Sequence, residues 1–354
     1  MRKFQHRKHM SNNQKKKLLL IGSASVHVQN YYNLVRDYFA EVLIVTNENI
    51  DYCPHEKISF SLRNPFKVYK SIQTIKKIIH EFNPDIIHVH QANTYGFMTA
   101  MAKKRSIPMV LTTLGSDVLL LPKRGFLYRF IVTKSLKNAD FITADARYMA
   151  EAIHDIIGQK DVTIANFGID ISSMPSDNKK EKILYSNRLH KDLYNIDKII
   201  SGSAAFLKEN TDWSITIGAN GNNTEHLKAQ AKQLISDEQV SFIGFVTADI
   251  NRANYIKSAI YISIPDSDGT SISLLEAMAY GAIPVVSDLP ANREWIVDGE
   301  NGIIVQDGNV DAAIRRAIQL NGEEIAQRNA TIINERGSKV ANRKIFLSLY
   351  DQCQ

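Results

Sequence analysis

Cysteine is scarce in this sequence of 354 residues, which contains only Cys53 and Cys353. The two lie at opposite ends of the chain, with neither the CxxC spacing of a redox motif nor the spacing of metal ligands. The sequence therefore offers no cysteine-based metal centre or redox pair. It fits a reducing compartment such as the cytoplasm.

Long apolar runs are also missing. No uninterrupted run approaches the roughly 18 residues that a membrane-spanning helix needs. The basic first 15 residues are not followed by the apolar core of a signal peptide. We therefore expect no signal peptide and no membrane anchor, and we interpret residues 1–15 as a basic, mobile N-terminus. No repeat or low-complexity array is present.

Two familiar ligand motifs are absent. The first strand, Lys17–Ile21, leads into a turn with one glycine, Gly22, where a dinucleotide fingerprint would need three. A D-x-D pair that could hold a divalent metal occurs near a strand end only as Asp266 and Asp268. His88 and His90 lie on the same side of a strand, but no third ligand is evident, so hydrogen-bonded structural histidines are the better default.

Charge is distributed unevenly along the chain. The formal net charge is +6, and residues 1–178 contain 24 Lys and Arg against 15 Asp and Glu, whereas the remainder contains 19 against 22. A basic first half suggests an anionic partner, either membrane phospholipid or nucleic acid. No zinc-finger, RNP-like or recognition-helix pattern supports nucleic acid.

The length and the pattern of elements favour two α/β domains. A chain of this length exceeds the size at which one core usually stops growing, and 44% hydrophobic residues suffice for two cores. Strand and helix patterns alternate along both halves, which is typical of a doubly wound sheet. We place a linker at residues 171–180, a polar, proline-containing stretch.

The most informative stretch is residues 259–286. Two apolar strands, Ala259–Ile264 and Ala282–Val286, are predicted to be parallel neighbours, with a helix starting near Ser271 between them. The turn before that helix lies where ligands bind in open parallel sheets, and free helix N–H groups attract phosphate there. Gly269 would let the backbone approach an anion closely.

The same turn has a plainer interpretation. Thr270, Ser271 and Ser273 add hydroxyl groups that suit a diphosphate, but Asp268 or Thr270 could simply cap the helix. In that case Glu276 would lie on the solvent face.

The string SDGTSISLLEAMAYGAIPVVSD, followed by LPANREWIVDGENGIIV, resembles the nucleotide-sugar site of retaining glycosyltransferases of family 4, the group 1 glycosyltransferases of the bacterial surface-polysaccharide type. Asp268 and Glu276 occupy the two acidic positions of the E-x7-E pattern of that family, with aspartate in place of the usual first glutamate. The resemblance implies that Asp268 works beside the transferred sugar and that Glu276 accepts hydrogen bonds from the ribose hydroxyls.

Other second-half motifs extend the resemblance. In G-R-L-x-x-x-K-G the arginine and lysine bind the diphosphate; Arg188 matches the arginine, whereas Leu193 replaces the lysine and Lys191 is a candidate substitute. An arginine suits the task because guanidinium grips phosphate oxygens bidentately. A surface ion pair is the alternative for Arg188. The implied catalytic residues are Asp268, Glu276 and Arg188, and the implied donor-binding residues are Arg188, Lys191, Gly218, Ile243, Gly244, Asp268, Gly269, Thr270, Ser271, Ile272, Ser273 and Glu276.

In the first half the resemblance is weaker. It implies acceptor-side residues Gly22, His27, His90, Gly115 and Asp117. For His27 a capping or packing role is the alternative. Family members commonly show T-x-H-G-x-D where this chain has Leu114 in place of the histidine, which withdraws one expected contact with the sugar.

The resemblance implies a GT-B fold, two doubly wound Rossmann-like domains facing across a cleft. We predict an acceptor-binding domain over 16–170, a nucleotide-sugar-binding domain over 181–335, and a C-terminal helix over 336–354 that crosses back to the first domain. The expected reaction moves a sugar from a UDP-hexose or UDP-N-acetylhexosamine to a hydroxyl of a lipid-linked or surface-glycan acceptor, with retention and without a cofactor or metal. The alternative is a catalytically silent homologue that binds nucleotide sugar or supports a partner transferase.

Two segments suggest where the protein works. Residues 65–80 and 123–137 combine basic and bulky apolar side chains, as segments lying on a bilayer do. Ordinary surface helices with exposed lysines are the alternative. We expect a peripheral protein at the cytoplasmic face of an anionic membrane.

Overall fold

The computed structural model describes residues 16–171 and 179–353. Their contacts divide them into two compact units. Unit 1 contains the described residues up to Thr143, Ile156–Thr163 and the described residues from Phe346 onward; unit 2 contains Ala144–Asp155 and Ile164–Ile345. The predicted N-terminus over 1–15 and most of the predicted linker, residues 172–178, lie outside the described residues.

Unit 1 is built on a seven-stranded sheet in the order β3-β2-β1-β4-β5-β6-β7. Its central strands are apolar and fully buried because helices connect parallel strands and cover the sheet. The strands are β1 (Lys17–Ile21), β2 (Glu41–Thr46), β3 (His55–Lys57), β4 (Ile86–His90), β5 (Met109–Thr112), β6 (Phe141–Ala144) and β7 (Val162–Ile164). The helices that connect them are α1 (Val26–Val35), α2 (Pro65–Phe82), α3 (Thr94–Ala102), α4 (Ser116–Leu119), α5 (Phe126–Asn138) and α6 (Arg147–Ile157). Helix α6 connects β6 to β7 along the chain, but its residues as far as Asp155 belong to unit 2.

Unit 2 is built on a six-stranded sheet in the order β10-β9-β8-β11-β12-β13. Its strands are β8 (Glu181–Ser186), β9 (Ser214–Gly218), β10 (Val240–Gly244), β11 (Ser258–Ser263), β12 (Ile283–Ser287) and β13 (Ile303–Val305). Its helices are α7 (Ile196–Glu209), α8 (Thr224–Leu234), α9 (Ala248–Lys257), α10 (Ile272–Ala279), α11 (Pro290–Arg293), α12 (Val310–Ala317) and α13 (Gly322–Ile332). Helix α14 (Lys339–Gln352) begins in unit 2 and belongs to unit 1 from Phe346 onward. The parallel pairing predicted between the two strands around the central turn is confirmed, since Ile260 pairs with Ile283 in β11 and β12.

The predicted fold class is therefore confirmed as two α/β domains with parallel, Rossmann-like sheets. Asn64 caps α2 as its sequence suggests, with the side-chain oxygen accepting from the N–H of Phe66 at 2.9 Å. Strand β3 was missed because it has three residues and a polar sequence.

The helical region before the C-terminal helix is interrupted. Helix α13 ends at Ile332, a π-helical turn follows over Ile333–Gly337, and α14 begins at Lys339. The break has a tertiary cause: Ile169 accepts from the N–H of Lys339 at 2.9 Å and donates to Gly337 at 2.9 Å, so these backbone groups leave the helical ladder.

The last turns of α14 complete the core of unit 1. Phe346 and Tyr350 are fully buried, and the Tyr350 hydroxyl lies 2.6 Å from Nδ1 of His88. On its other side, Nε2 of His88 lies 2.7 Å from Oγ1 of Thr112. His88 is thus a hydrogen-bonded structural histidine, as expected. Among the described residues, no helix combines the length and apolarity needed to cross a membrane.

Candidate functional site

The central turn of unit 2 joins the end of β11 to the start of α10. Ser271 caps α10, with its hydroxyl accepting from the N–H of Leu274 at 3.4 Å. The plainer interpretation, in which Asp268 or Thr270 caps the helix, is therefore wrong. One carboxylate oxygen of Asp268 instead accepts from the N–H of Gly269 at 3.0 Å, and the other faces Arg188.

Arg188 follows β8 and reaches this turn. Its guanidinium donates to Asp268 at 2.7 Å and to the Ser271 hydroxyl at 2.5 Å, and it lies over the ring of Tyr194 at 4.5 Å. The two charged side chains are 11% and 21% exposed, so they are not a solvated surface pair. A cation, a hydroxyl and the free N–H groups of a helix start converge here, which is an arrangement suited to a phosphate.

Lys191 lies apart from that cluster. It is exposed and lines a cavity of about 320 Å³ together with Asp192, His226 and Asp266. The structure therefore brings Arg188, Asp268 and Ser271 together but leaves Lys191 on the neighbouring surface.

Glu276 lies one turn into α10, and it is not on the solvent face. Burial raises the pKa of its carboxyl group, although a hydrogen bond from Tyr255 opposes the shift. The amide nitrogen of Asn251 lies 3.4 Å from the carboxylate. A half-buried carboxylate with few donors around it retains acceptor capacity for a ligand.

Behind Glu276 lies a polar network that the sequence did not reveal. Asn251 accepts from the Tyr185 hydroxyl at 2.6 Å and from the Asn187 amide at 3.0 Å. Asn187 also donates to the Tyr255 hydroxyl at 2.8 Å and accepts from Tyr261 at 3.1 Å. The only sequence signal is that three of these residues lie at strand ends beside Arg188 or the central turn.

Other predicted donor-binding residues lie around this network. Ile243 packs against a buried cluster of four tyrosines, Tyr185, Tyr255, Tyr261 and Tyr280. A side chain at Gly218 would meet Asn187 and the Tyr185 hydroxyl at 3.3 Å. Gly244 has φ +65°, a conformation that favours glycine, and its carbonyl accepts from Ala219 at 2.7 Å. Ser273 faces the hydroxyls of Tyr255 and Tyr261. Ile272 is exposed at the start of α10.

The predicted acceptor-side residues all lie in unit 1. A side chain at Gly22 would meet Cβ of His90 at 3.3 Å, so these two are neighbours, whereas His27 is exposed. His90 is only 1% exposed, and burial, with a contribution from His27, lowers its pKa to about 3. A neutral, buried ring is a packing group for the turn rather than a surface group.

Asp117 is buried and bonded to backbone. Its carboxylate accepts from the N–H of Ala92 at 2.6 Å and of Leu114 at 3.0 Å, which ties together the turns after β4 and β5. Burial raises its pKa, and those backbone bonds oppose the shift. Gly115, with φ +101°, provides the sharp bend between Leu114 and α4.

Unit 1 also contains a cavity that the sequence did not predict. It has a volume of about 600 Å³ and lies at the carboxyl ends of β2 and β3 and the start of α3. Its polar lining includes Asn47, Lys57, Ser59 and Tyr95, and the Tyr95 hydroxyl donates to Asn47 at 3.1 Å. Within the described ranges, no group of three or more His, Cys, Asp and Glu residues is placed to hold a metal ion.

Comparison with known proteins gives matches over both halves. Residues 168–337 match the family model for glycosyl transferases group 1, and residues 16–146 match that for glycosyl transferase 4-like proteins. The chain is 24% identical to N-acetyl-alpha-D-glucosaminyl L-malate synthase of Bacillus anthracis, over 70% of this chain and 68% of that protein. It is 25% identical to phosphatidyl-myo-inositol mannosyltransferase of Mycobacterium tuberculosis, over 77% and 71%.

Among solved structures, Anabaena Alr3699/HepE in complex with UDP superposes with a TM-score of 0.76 at 16% identity, covering 95% of this chain and 100% of that one. At 16% identity this superposition supports only a shared fold. The matched sequence ranges and the superposed structure both extend over both units.

Proposed function

We propose that the chain is a group 1 glycosyltransferase that moves a sugar from a nucleotide diphosphate sugar to an acceptor hydroxyl, with retention at the anomeric carbon. The family models that match residues 168–337 and 16–146 support this proposal. The observation that carries the proposal is the convergence of Arg188, Asp268 and Ser271 at the start of α10. The donor is a UDP-hexose or UDP-N-acetylhexosamine, and the UDP complex of the Anabaena neighbour supports this choice.

In the proposed reaction the bond between the anomeric carbon and the diphosphate oxygen breaks. The acceptor oxygen bonds to the same face of that carbon, and its proton passes to the leaving diphosphate. Arg188 and the N–H groups at the start of α10 stabilise the negative charge that develops, with Lys191 as an additional cation on the same loop. Since these groups serve the leaving group, we propose that no divalent metal and no cofactor are needed.

Asp268 and Glu276 divide the remaining tasks. Asp268 meets the transferred sugar, while Glu276 accepts hydrogen bonds from the ribose of the nucleotide. Gly218, Ile243 and Gly244 approach the nucleotide mainly through backbone. A hydrogen bond from Tyr255 and the amide of Asn251, 3.4 Å away, support a carboxylate that is held in place.

The acceptor is a lipid-linked or surface glycan, bound by unit 1. The cavity of about 600 Å³ supports this, because open α/β sheets bind ligands at the carboxyl ends of their strands. Its amide, hydroxyl and ammonium groups suit a hydroxyl-rich molecule. The residues proposed for the acceptor side also lie at or just after the carboxyl ends of strands, namely β1, β4 and β5; they are Gly22, His27, His90, Gly115 and Asp117.

The protein acts at the cytoplasmic face of an anionic membrane. Helix α3 packs against both α2 and α5, and we call the outer surface of α2, α3 and α5 the three-helix face. Phe66 and Phe126 on it are 84% and 88% exposed, which is unusual for phenylalanine. Helix α2 and residues 121–138 contain nine Lys and Arg residues, all exposed, and one acidic residue, Glu81. Exposed apolar side chains can insert among the acyl chains of a bilayer, while the surrounding basic side chains bind its anionic headgroups.

A second candidate function is a homologue that binds nucleotide sugar without turnover. Three substitutions favour it: Leu114 stands where the family has a histidine, Asp268 where it usually has a glutamate, and Leu193, 42% exposed, where it has a lysine. One experiment separates the two. The protein is incubated with a panel of UDP- and GDP-sugars, and both slow hydrolysis and protection against thermal unfolding are measured.

Hydrolysis of one donor, with the released or transferred sugar retaining its anomeric configuration by NMR, is expected. Asp268→Asn should abolish hydrolysis but keep protection by UDP, whereas the matched variant Asp266→Asn, at an exposed carboxylate, should keep both. Protection without hydrolysis would favour the silent homologue. Neither effect for any nucleotide sugar would refute both functions.

A further inference from the structure

The stretch Asp145–Tyr148, at the start of α6, lies against the turn that carries Asp268. The Tyr148 hydroxyl donates to the backbone carbonyl of Asp268 at 3.4 Å. Thr270 donates through its hydroxyl to the carbonyl of Asp145 at 3.1 Å, and its N–H lies 3.4 Å from the Asp145 carboxylate. Both residues that flank Gly269 are therefore held from the same stretch, although two of the three bonds are long and individually weak.

Glu294 fixes that stretch in turn. Its two carboxylate oxygens accept from the N–H groups of Arg147 and Tyr148, at 2.8 and 2.9 Å. These are amide groups of a helix start, which have no partner within the helix, and a carboxylate is favoured there by the helix dipole. Arg336 donates to the carbonyl of Glu294 and lies over the ring of Trp295 at 4.5 Å, so Glu294 is itself held in place.

The chemistry of Tyr148 limits what it can do. Burial, together with the charges of Asp145, Glu294 and Asp268, raises the pKa of its hydroxyl. The group stays protonated at any working pH and donates its hydrogen bond to a backbone oxygen. It can neither remove a proton from a substrate nor carry negative charge. Its remaining role is to hold the backbone of the Asp268 turn in place.

We propose that Tyr148 and Glu294 are positioning residues of the transfer reaction, which act by fixing the turn of Asp268. Asp268 is held at both ends: its carbonyl by Tyr148 and its carboxylate by Arg188 at 2.7 Å. The reason for such a clamp is that Gly269 makes the turn flexible, whereas a small displacement of a group that meets the sugar costs much of the rate. The inference rests on the proposed function, since it takes Asp268 as the residue beside the sugar.

The test compares two tyrosines with the same kind of bond. Tyr148→Phe removes only the hydroxyl that contacts the turn. The matched control is Tyr280→Phe, because the Tyr280 hydroxyl donates to the backbone carbonyl of Asp170 at 3.5 Å, at the far end of α10. For each variant, kcat and KM are measured for the nucleotide sugar that the wild type hydrolyses fastest, and the Kd of UDP by calorimetry.

Tyr148→Phe should lower kcat by about threefold to tenfold while KM and the Kd of UDP stay within about twofold. Tyr280→Phe should leave all three values within about twofold. Glu294→Gln should also lower kcat, and the double variant Tyr148→Phe with Glu294→Gln should lose less than the product of the two single losses, because both act on one turn. An unchanged kcat, a parallel loss of UDP affinity, or multiplicative losses would overturn the inference.

A second measurement does not depend on turnover. Amide hydrogen exchange over residues 266–271, without nucleotide, should be faster in Tyr148→Phe than in the wild type and unchanged in Tyr280→Phe. A wild type that hydrolyses no nucleotide sugar would refute the proposed function. The exchange of this turn would then decide by itself whether Tyr148 holds it, and equal exchange in all three proteins would overturn the clamp.

Discussion

At the scale of single residues, the carboxylate of Glu276 is expected to strengthen ligand binding but to lower the stability of the folded protein. Burial raises the pKa of its carboxyl above the value in the unfolded chain, so the charged form costs the folded protein stability that returns as the pH falls through the raised pKa. Replacing it with a neutral amide of the same shape should therefore not lower stability at neutral pH. A carboxylate that serves a ligand is kept in spite of this cost.

We predict that Glu276→Gln weakens uridine and UDP binding by about tenfold or more, since charge-assisted hydrogen bonds contribute about 1.5–3 kcal/mol each. Uridine binding by the wild type should weaken as the pH falls through the raised pKa, and the variant should lack that dependence. Calorimetry measures affinity, and tryptophan fluorescence follows unfolding of unit 2, which contains Trp213 and Trp295. A lower Tm with unchanged affinity would show a structural role instead; Glu225→Gln, at an exposed position of α8, is the control.

The second residue-scale prediction distinguishes the two candidate diphosphate cations. Arg188→Ala should weaken UDP binding by about 2–3 kcal/mol but leave uridine binding within about twofold, because guanidinium is expected to grip phosphate oxygens. Arg188→Lys should recover only part of the loss, since ammonium lacks the bidentate fork. Lys191→Ala should cost less than Arg188→Ala, because Lys191 lies on the cavity lined by Asp266 and not on the central turn. Equal losses for UDP and uridine would remove Arg188 from the phosphate site.

At the scale of elements, the three-helix face gives a prediction for membrane binding. Each basic residue near an anionic bilayer contributes about 1 kcal/mol, and each large apolar side chain that inserts contributes about 1.5–3 kcal/mol. We expect binding to vesicles rich in phosphatidylglycerol, release by salt, and a loss of about tenfold or more in the double variant Phe126→Ser, Leu127→Ser. Vesicle co-sedimentation measures all three.

The control for this face is Val340→Ser, which removes a 63% exposed apolar side chain from α14 in unit 2. It should leave vesicle binding unchanged. Binding that ignores the anionic lipid content, or no binding at low ionic strength, would mean that the face is an ordinary solvated surface and that the acceptor is not held at a membrane.

At the scale of the whole molecule, unit 1 should be sensitive to acid. Burial lowers the pKa of His88 well below its ordinary value and that of His90 to about 3, with smaller contributions from His90 and His27 respectively. Both rings stay neutral in the folded state, whereas the unfolded chain takes up two protons below about pH 6.5. Stability contributed by the neutral rings is therefore present above that pH and is lost as the pH falls below it.

The expected slope between pH 6 and 5 is about 2.4 kcal/mol per pH unit, about 1.2 for each histidine, because the unfolded histidines are not yet fully protonated at pH 6. It is measured from hydrogen exchange of β4 at several pH values, because both tryptophans lie in unit 2 and do not report on unit 1. His90→Gln should halve the slope, and His226→Gln, at an exposed histidine, should leave it unchanged. A flat profile in the wild type would refute the buried, neutral state of both rings.

Sequence alone predicted most elements of the two sheets, although not β3, because apolar β-branched runs and helical spacing are local signals. It predicted β11 and β12 as parallel neighbours with a helix starting near Ser271 between them, and both are confirmed. The resemblance over residues 259–305 rests on a contiguous string of residues for the same reason, and the family model for glycosyl transferases group 1 matches residues 168–337. The roles of the predicted site residues stay predictions that the variants above test.

Only the tertiary structure decided the matters that depend on residues far apart in the chain. Ile169 interrupts the helical region at Ser338 by forming hydrogen bonds with the neighbouring backbone groups, and no local sequence pattern predicts that contact. The resemblance implied that Arg188 and Asp268 share one site, but it did not predict their direct ion pair, 80 positions apart. The approach of Tyr148 to the same turn, 120 positions apart, was not predicted at all. Periodicity reports which side of an element is buried, but the partner that a polar group meets there is fixed only when the parallel sheet brings separate strand ends to one edge.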